Sequence, residues 1–442
     1  MNKESVLNIG FDDTDSPTGM CTTFLAYKIV DLLQKQKTEF LDFPKLIRFN
    51  PNIPWKTRGN GAVSLKIKTK NPSKIKNQIK NLVSKYSDIK NGANPGLVFF
   101  ESNSIPSEFT KFSNLALWQL INRNNAKKFA KKNKLDFFYE GNGQGLVGAI
   151  SAIGYNFHDH TLELLSYRKK RKFGKERKIS VDSVKEMQEK TFPYTFNSFD
   201  TKKGRVLITP HGPDPVFYGV RGENVDSLVN ATKILKSNEK LDGYMIFKSN
   251  QGTGDHLKNE LNFETMKPYA SGTLSGIVSN IPKIVKGGHV FFTIISKNHE
   301  FWCAVYNETG ISTIASNLII GDEISIGGGV RKASKNFPRI INLEFIEIIH
   351  LKKNLSKSNP TCKKCSKKMK SKGQNQGFQC IRCGKKSSNK ITVEIPRKVK
   401  KQLYIPKISA HRHLTRPLQR TGIINKTSKF DESLSWFCVY RN

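Results

Sequence analysis

Gly10-Phe11-Asp12-Asp13-Thr14-Asp15-Ser16-Pro17-Thr18-Gly19-Met20-Cys21-Thr22-Thr23-Phe24-Leu25 stands between an apolar run (Val6, Leu7, Ile9) and a helical pattern of Leu25, Ala26, Ile29, Val30, Leu32 and Leu33. The stretch reads as strand, turn and helix, with Asp12, Asp13 and Asp15 crowded at the strand's end. Carboxylates so close repel one another unless a cation lies between them. Mg²⁺ prefers such hard oxygen ligands and completes its shell with substrate phosphates. Thr22 and Thr23 fall where the helix should begin, so amide N–H groups and hydroxyls face the same crevice. The pattern predicts a phosphate-handling site; the alternative is a solvated acidic turn with a helix cap.

Outward from this stretch, 442 residues exceed what one core can organise and predict about three or four domains. The 74 Lys+Arg against 36 Asp+Glu leave a net charge of +38, which asks for a polyanionic partner, nucleic acid first. An anionic membrane surface competes, but no basic amphipathic helix stands out and no stretch approaches a membrane span. The N-terminus lacks the layout of a signal peptide, so a cytoplasmic location is expected. Seven cysteines, four of them in one cluster, suit a metal site in a reducing compartment better than disulfides.

Residues 1 to about 60 read as strand, helix and strand, followed by an alternating strand from Ala62 to Ile67 and a lysine-rich helix over about 72–86. Further expectations are a strand over Leu97–Phe100, two helices within 108–134, and a helix entered from Gly141–Ala149. Strands follow over Thr161–Tyr167, Val206–Thr209, Val216–Val220 and Tyr244–Lys248, with a helix over 224–236. Residues 272–350 hold about five short β-rich runs between Gly and Pro turns, as in an OB-fold barrel.

Cys362-Lys363-Lys364-Cys365, fourteen residues, then Cys380-Ile381-Arg382-Cys383 is zinc-ribbon spacing. It predicts one closed, structural, four-thiolate Zn²⁺ site. Lysines and arginines crowd both knuckles, so the ribbon is expected to grip phosphates. Lys56-Thr57-Arg58-Gly59-Asn60-Gly61 combines two cations with two glycines that would let amides approach an anion; a surface turn describes it equally well. Gly143 and Gly145 form another anion-friendly loop. Thr209–Gly222 is a Pro/Gly loop between strands that could present Asp214 to a cationic small molecule, or serve only as a stiff connection. The polar stretch Ser249–His256 could carry no chemistry, and the isolated histidines read as surface or core. His411–Pro417 reads as a nucleic-acid-gripping arm or a disordered basic terminus.

These motifs, in this order, resemble the archaeal tRNA-isoleucine 2-agmatinylcytidine synthetase family nearly end to end. The likeness is carried by Gly10–Ser16 with Gly19–Thr23, Asn50–Pro54 with Lys56–Gly61, and Gly145–Ala149. It continues through Pro213–Gly222, Ser249–Thr253, the four cysteines and His413–Pro417. The resemblance implies an α+β multidomain protein: a kinase-like domain (1–60 and 128–195) interleaved with a ferredoxin-like domain (61–127 and 196–268). An OB-fold (269–352), a zinc ribbon (353–396) and a basic C-terminal tail (397–442) complete it. It implies ATP-dependent joining of agmatine to the wobble cytidine of the isoleucine tRNA with a CAU anticodon, through a phosphorylated cytosine. No membrane and no obligatory protein partner are expected. In that scheme Asp12, Asp13 and Asp15 hold Mg²⁺ and ATP, and Thr22 takes the γ-phosphate. ATP contacts are expected at Thr14, Ser16, Gly19, Thr23, Lys56, Arg58, Gly59, Asn60, Gly61, Gly143 and Gly145, and substrate contacts at Asp214, Arg221 and Asn250. Two other classes stand beside it. A non-catalytic tRNA-binding protein would need only barrel, ribbon and charge, but would have no use for three acids facing a polyanion. A small-molecule kinase with RNA-binding appendages would turn over without tRNA.

Overall fold

Strand Ser5–Asp12 is buried along most of its length because it is hydrogen-bonded on both sides, antiparallel to Gly61–Thr69 and to Gly96–Glu101. It lies inside an eleven-stranded sheet. Across that sheet the order is Asp136–Tyr139, Gly96–Glu101, Ser5–Asp12, Gly61–Thr69, Lys45–Arg48, Leu241–Ser249, Thr161–Arg168, Val216–Gly222 and Thr195–Phe196. The computed structural model describes residues 4–335, 338–426 and 430–440. Their contacts gather into two units: 4–273, 327–344 and 405–440 in one, and 274–326 and 345–404 in the other. Among the described residues no helix is long and apolar enough to cross a membrane.

In the larger unit, Lys45–Arg48 runs parallel to Leu241–Ser249 at the middle of the sheet, joining segments some two hundred residues apart in sequence. Asn250 seals that seam: its amide accepts from Arg48 N at 2.8 Å and donates to Arg48 O at 3.0 Å. Gly61–Thr69, expected to begin a second module, is flanked on both sides by strands expected in the first. The amphipathic helix Pro72–Tyr86 has the expected limits and is capped by Asn71. Helix Thr22–Lys35 packs its apolar face into the main core with Leu65, Ile79 and Tyr167. Helix Val181–Thr191, capped by Ser180, adds an element beyond the expected ones.

The strand expected over Val206–Thr209 ends at Val206. The chain there turns around Arg177, whose guanidinium donates to the carbonyls of Pro210, Gly212, Asp214 and Val216 at 2.7–2.9 Å. Val216 then opens the next strand, opposite Tyr167.

The basic segment from 405 onward is part of the larger unit. Phe437–Val439 adds a strand to Leu241–Ser249, and Trp436 is buried in the main core. Arg420, 1% exposed, joins Asp159 and Glu223. The segment's cations answer internal carboxylates, which charge counting along the sequence could not reveal.

Five strands close into a barrel in the order Ser271–Val278, Glu323–Arg331, Ile340–His350, His299–Val305 and Val290–Ser296. Ile277 pairs with Ile295 and Val278 with Ile294 to close it. This is the expected five-stranded barrel. A three-stranded sheet of two-residue strands carries the cysteine knuckles.

Candidate functional site

The strand Ser5–Asp12 delivers Asp12 to the floor of a cleft of about 500 Å³ in the larger unit. The chain then turns sharply: Asp13 adopts φ 57°, a left-handed conformation that short polar side chains tolerate, and its N–H donates to Asp12 Oδ1 at 2.7 Å. Asp15, Thr22 and Thr23 line the same cleft. Cys21, at the N-cap, makes no side-chain cap bond, so first-turn amides remain for an anion. Thr22 Oγ1 accepts from Thr14 Oγ1 at 3.1 Å.

Helix Leu146–Gly154 closes the floor from below. A Cβ at Gly148 would collide with the Asp12 carboxylate, and one at Gly145 would lie 2.5 Å from Asp12 O. Gly145 is thus needed for close helix-to-strand packing, and neither it nor Gly143 lines the cleft. Gly148 escaped the sequence reading, although it is the glycine that makes room for the buried acid.

Three half-buried carboxylates within four residues disturb one another's ionisation. Burial, then Asp13 and Asp15, hold the Asp12 carboxyl well above the usual range. Burial and Asp15 push Asp13 up to about 7. Burial raises Asp15 too, against the pull of Arg58. Such a donor set fits a divalent cation, which would restore all three charges. In the cation-free protein, a folded-state pKa above the unfolded one favours the fold below about 3.8, and that advantage is lost as pH rises through about 7. The thermal midpoint should therefore fall between pH 5 and 8 without Mg²⁺–nucleotide and recover with it. Asp13→Asn should flatten the dependence; an equally steep profile in that variant would contradict the assignment.

The Lys56–Gly61 loop forms one wall, with its cations differently employed than expected. Arg58 Nη2 donates to Asp15 Oδ2 at 2.7 Å and to Met20 O at 2.5 Å, clamping the acidic turn to the helix start. Lys56 Nζ donates to Ile53 O at 3.2 Å. Asn60 bonds Asn50 O. Gly59 lies against Arg48 and the His413 ring, where a Cβ would approach both to 2.7 Å. Gly61 also lines the cleft.

Asp214 and Arg221 also line the cleft. Asp214, 3% exposed, accepts from Val216 N at 3.1 Å and faces Arg177 at 3.4 Å; burial raises its carboxyl pKa against Arg177 and Arg58. Thr14, Ser16, Gly19 and Asn250 do not line the cleft. Ser16 instead donates to Asp88 at 2.5 Å, and Gly19 closes the turn with Ser16.

Four lining residues were not singled out from sequence: Arg48, Glu163, His411 and His413. Glu163, on Thr161–Arg168, is flanked by Arg221 at 3.5 Å and Arg48 at 3.7 Å and accepts from Gln251 Nε2. His413 Nδ1 lies 2.9 Å from both Arg221 Nη2 and Gln251 Oε1. Burial, then Arg48 and Arg221, keep the His413 pKa well below its ordinary value, so the ring is neutral. His411 and His413, expected in a nucleic-acid-gripping arm or a disordered basic terminus, are cleft residues.

In the ribbon, Cys362, Cys365, Cys380 and Cys383 bring their sulfurs within 4.8 Å of one another. The knuckles repeat one geometry: Ser366 N donates to Cys362 O and Gly384 N to Cys380 O, with Ser366 at φ 52° and Gly384 at φ 73°. The amides of Cys383 and Arg382 draw the Cys380 thiol down to about 7, toward the thiolate a metal needs. The four sulfurs fit tetrahedral Zn²⁺. Elemental analysis without chelator should find one zinc per chain, and Cys380→Ser should lose it.

Family models match residues 8–71 as the TiaS TCKD domain, 143–256 as the TiaS FLD domain and 359–399 as the TiaS C-terminal zinc ribbon domain. The isoleucine-tRNA 2-agmatinylcytidine synthetase TiaS of Cenarchaeum symbiosum (strain A) is 45% identical over 434 residues, covering 98% of this chain and 97% of the relative. The crystal structure of TiaS in complex with its isoleucine tRNA and ATP superposes with a TM-score of 0.84 at 33% identity, over 94% of this chain and 97% of that one. The complex of TiaS with the same tRNA, AMPCPP and agmatine gives 0.82 at 31%, with the same coverages.

Proposed function

The chain belongs to the TiaS family of isoleucine-tRNA 2-agmatinylcytidine synthetases, and from that premise we propose that it joins agmatine to the wobble cytidine of the CAU-anticodon isoleucine tRNA, using ATP. It is a ligase that forms a carbon–nitrogen bond. The observation that carries the reading for these residues is the meeting of Asp12, Asp13, Asp15 and Thr22 in one cleft.

The chemistry sets the requirements. The oxygen on cytosine C2 is a poor leaving group until phosphorylated. Thr22, at a helix start, is the hydroxyl that accepts the γ-phosphoryl group of ATP; the bond to the β-phosphate breaks and ADP leaves. The group then passes to the cytosine oxygen. The agmatine amine bonds to C2 and loses a proton, and the C2–O bond breaks with its electron pair departing on phosphate. Asp12, Asp13 and Asp15 would hold Mg²⁺, which supplies charge compensation for the triphosphate. Arg58 keeps Asp15 aimed and opposes the burial that raises its pKa. Asp214, a carboxylate lining the cleft, suits the cationic agmatine. The cysteine ribbon holds structural Zn²⁺, and the charge excess draws tRNA. These steps take place on a cytoplasmic substrate.

The test is incorporation of labelled agmatine into an unmodified transcript of the CAU-anticodon isoleucine tRNA by the full, zinc-loaded chain with ATP. Incorporation that needs ATP and the CAU anticodon is expected. Binding of tRNA without incorporation would favour a non-catalytic scaffold. ATP turnover undiminished by omitting tRNA would favour a small-molecule kinase.

A further inference from the structure

Arg48 and Arg221 bring two positive charges to one side of the cleft, and they share a single carboxylate, Glu163, which meets both only at long distance. The Glu163 contacts are long, 3.7 Å to Arg48 and 3.5 Å to Arg221, while Gln251 Nε2 holds the nearer place on Oε2. Arg48 Nε is buried without a hydrogen-bond partner. A buried donor without an acceptor is costly, and the surplus charge strengthens the case for a missing anion. His413 adds no charge; it fixes Arg221 through Nδ1 and presses its ring on Gly59 beside Arg48. Arg58 cannot fill this role, since Asp15 and Met20 O occupy it. Arg48 also sits close enough to Asp12 to oppose the burial that raises its carboxyl pKa.

We propose that Arg48 and Arg221, seated by His413, form an anion site that holds the phosphoryl group on the cytosine oxygen and retains inorganic phosphate after agmatine has displaced it. The site rests on the function proposed above for the identity of its ligand, and on the chain's own geometry for its preference for a tetrahedral oxyanion. Guanidinium forks match that shape with paired N–H donors. Phosphate leaves carrying the former cytosine oxygen, and the two guanidiniums disperse its charge.

Inorganic phosphate itself is the probe. Its binding to the full, zinc-loaded chain is followed by ³¹P line broadening in about 0.15 M chloride, which screens exposed lysines. Saturable binding is expected, weakened at least about tenfold by Arg48→Gln and by Arg221→Gln, the loss expected of one charge-assisted pair. Lys128→Gln should leave phosphate affinity within about twofold, because Lys128 is exposed and lies outside the cleft. Should a Gln variant not fold, as judged by circular dichroism, Arg48→Lys and Arg221→Lys replace it, with an expected loss of about threefold from the missing fork. No saturable binding by the wild type, or unchanged affinity in the folded arginine variants, overturns the site. Agmatine incorporation is measured separately: phosphate binding without incorporation would sink the proposed activity and leave the anion site standing, and the reverse pattern would do the opposite.

Discussion

Thr22→Ala should reduce agmatine incorporation by at least about a hundredfold while ATP and tRNA still bind, the scale seen when one nucleophilic or electrostatic element is removed. The substitution deletes a hydroxyl that lines the cleft and accepts one hydrogen bond, from Thr14; the backbone of the helix start is untouched. Asp13→Ala should lose as much for a different reason. Without that carboxylate the cation's charge no longer answers the triphosphate, so ATP affinity falls together with turnover. Thr23→Ala is the comparison. Its hydroxyl contacts Cys21 Sγ at 3.1 Å and also lines the cleft, but it points about 100° around the helix from Thr22, so a milder loss is expected. Radiolabel from γ-labelled ATP retained on the protein separates the cases: wild type and Thr23→Ala should carry it, Thr22→Ala should not. Near-wild-type incorporation by Thr22→Ala would return Thr22 to the status of an ordinary helix-start residue.

Arg420→Met should destabilise the larger unit by about 3 kcal/mol, the cost of removing the cation shared by buried Asp159 and Glu223 while Arg416 still meets Asp159. Arg420 donates to both oxygens of Asp159 at 3.1 and 3.2 Å and to Glu223 at 2.6 Å, with Arg420 and Asp159 almost fully enclosed. Trp436→Ala should cost a similar about 3–5 kcal/mol by opening a cavity in the main core. The denaturant midpoint of each variant, compared with an unchanged slope, measures the effect. A loose basic arm would show neither loss. Cutting the chain after Tyr404 should then fail to give a folded larger unit, whereas removal of a true tail would be silent.

The features legible in the sequence are those whose cause lies within a few residues. Two Cys-x-x-Cys knuckles declare a metal site because each pair closes its own turn, and Ser366 and Gly384 adopt the left-handed conformation that such a turn requires. The acidic turn could be placed because an apolar strand runs straight into a helical repeat, and Pro72–Tyr86 because its apolar positions recur along one face. Barrel strands separated by glycine turns belong with these.

What the tertiary structure alone decided depends on contacts between segments that carry no mark of one another. The parallel pairing of Lys45–Arg48 with Leu241–Ser249 is chosen by competition among all strands of the sheet, and periodicity does not encode a neighbour. Arg48, Glu163, Arg221 and His413 come from four separate stretches and acquire their chemistry only when burial strips their water and sets their charges against each other. The same holds for the C-terminal segment. Read along the chain, its arginines are surplus positive charge; in the fold, Asp159, Glu223 and Glu344 meet them, because a buried carboxylate takes its partner from whatever segment the packing brings close.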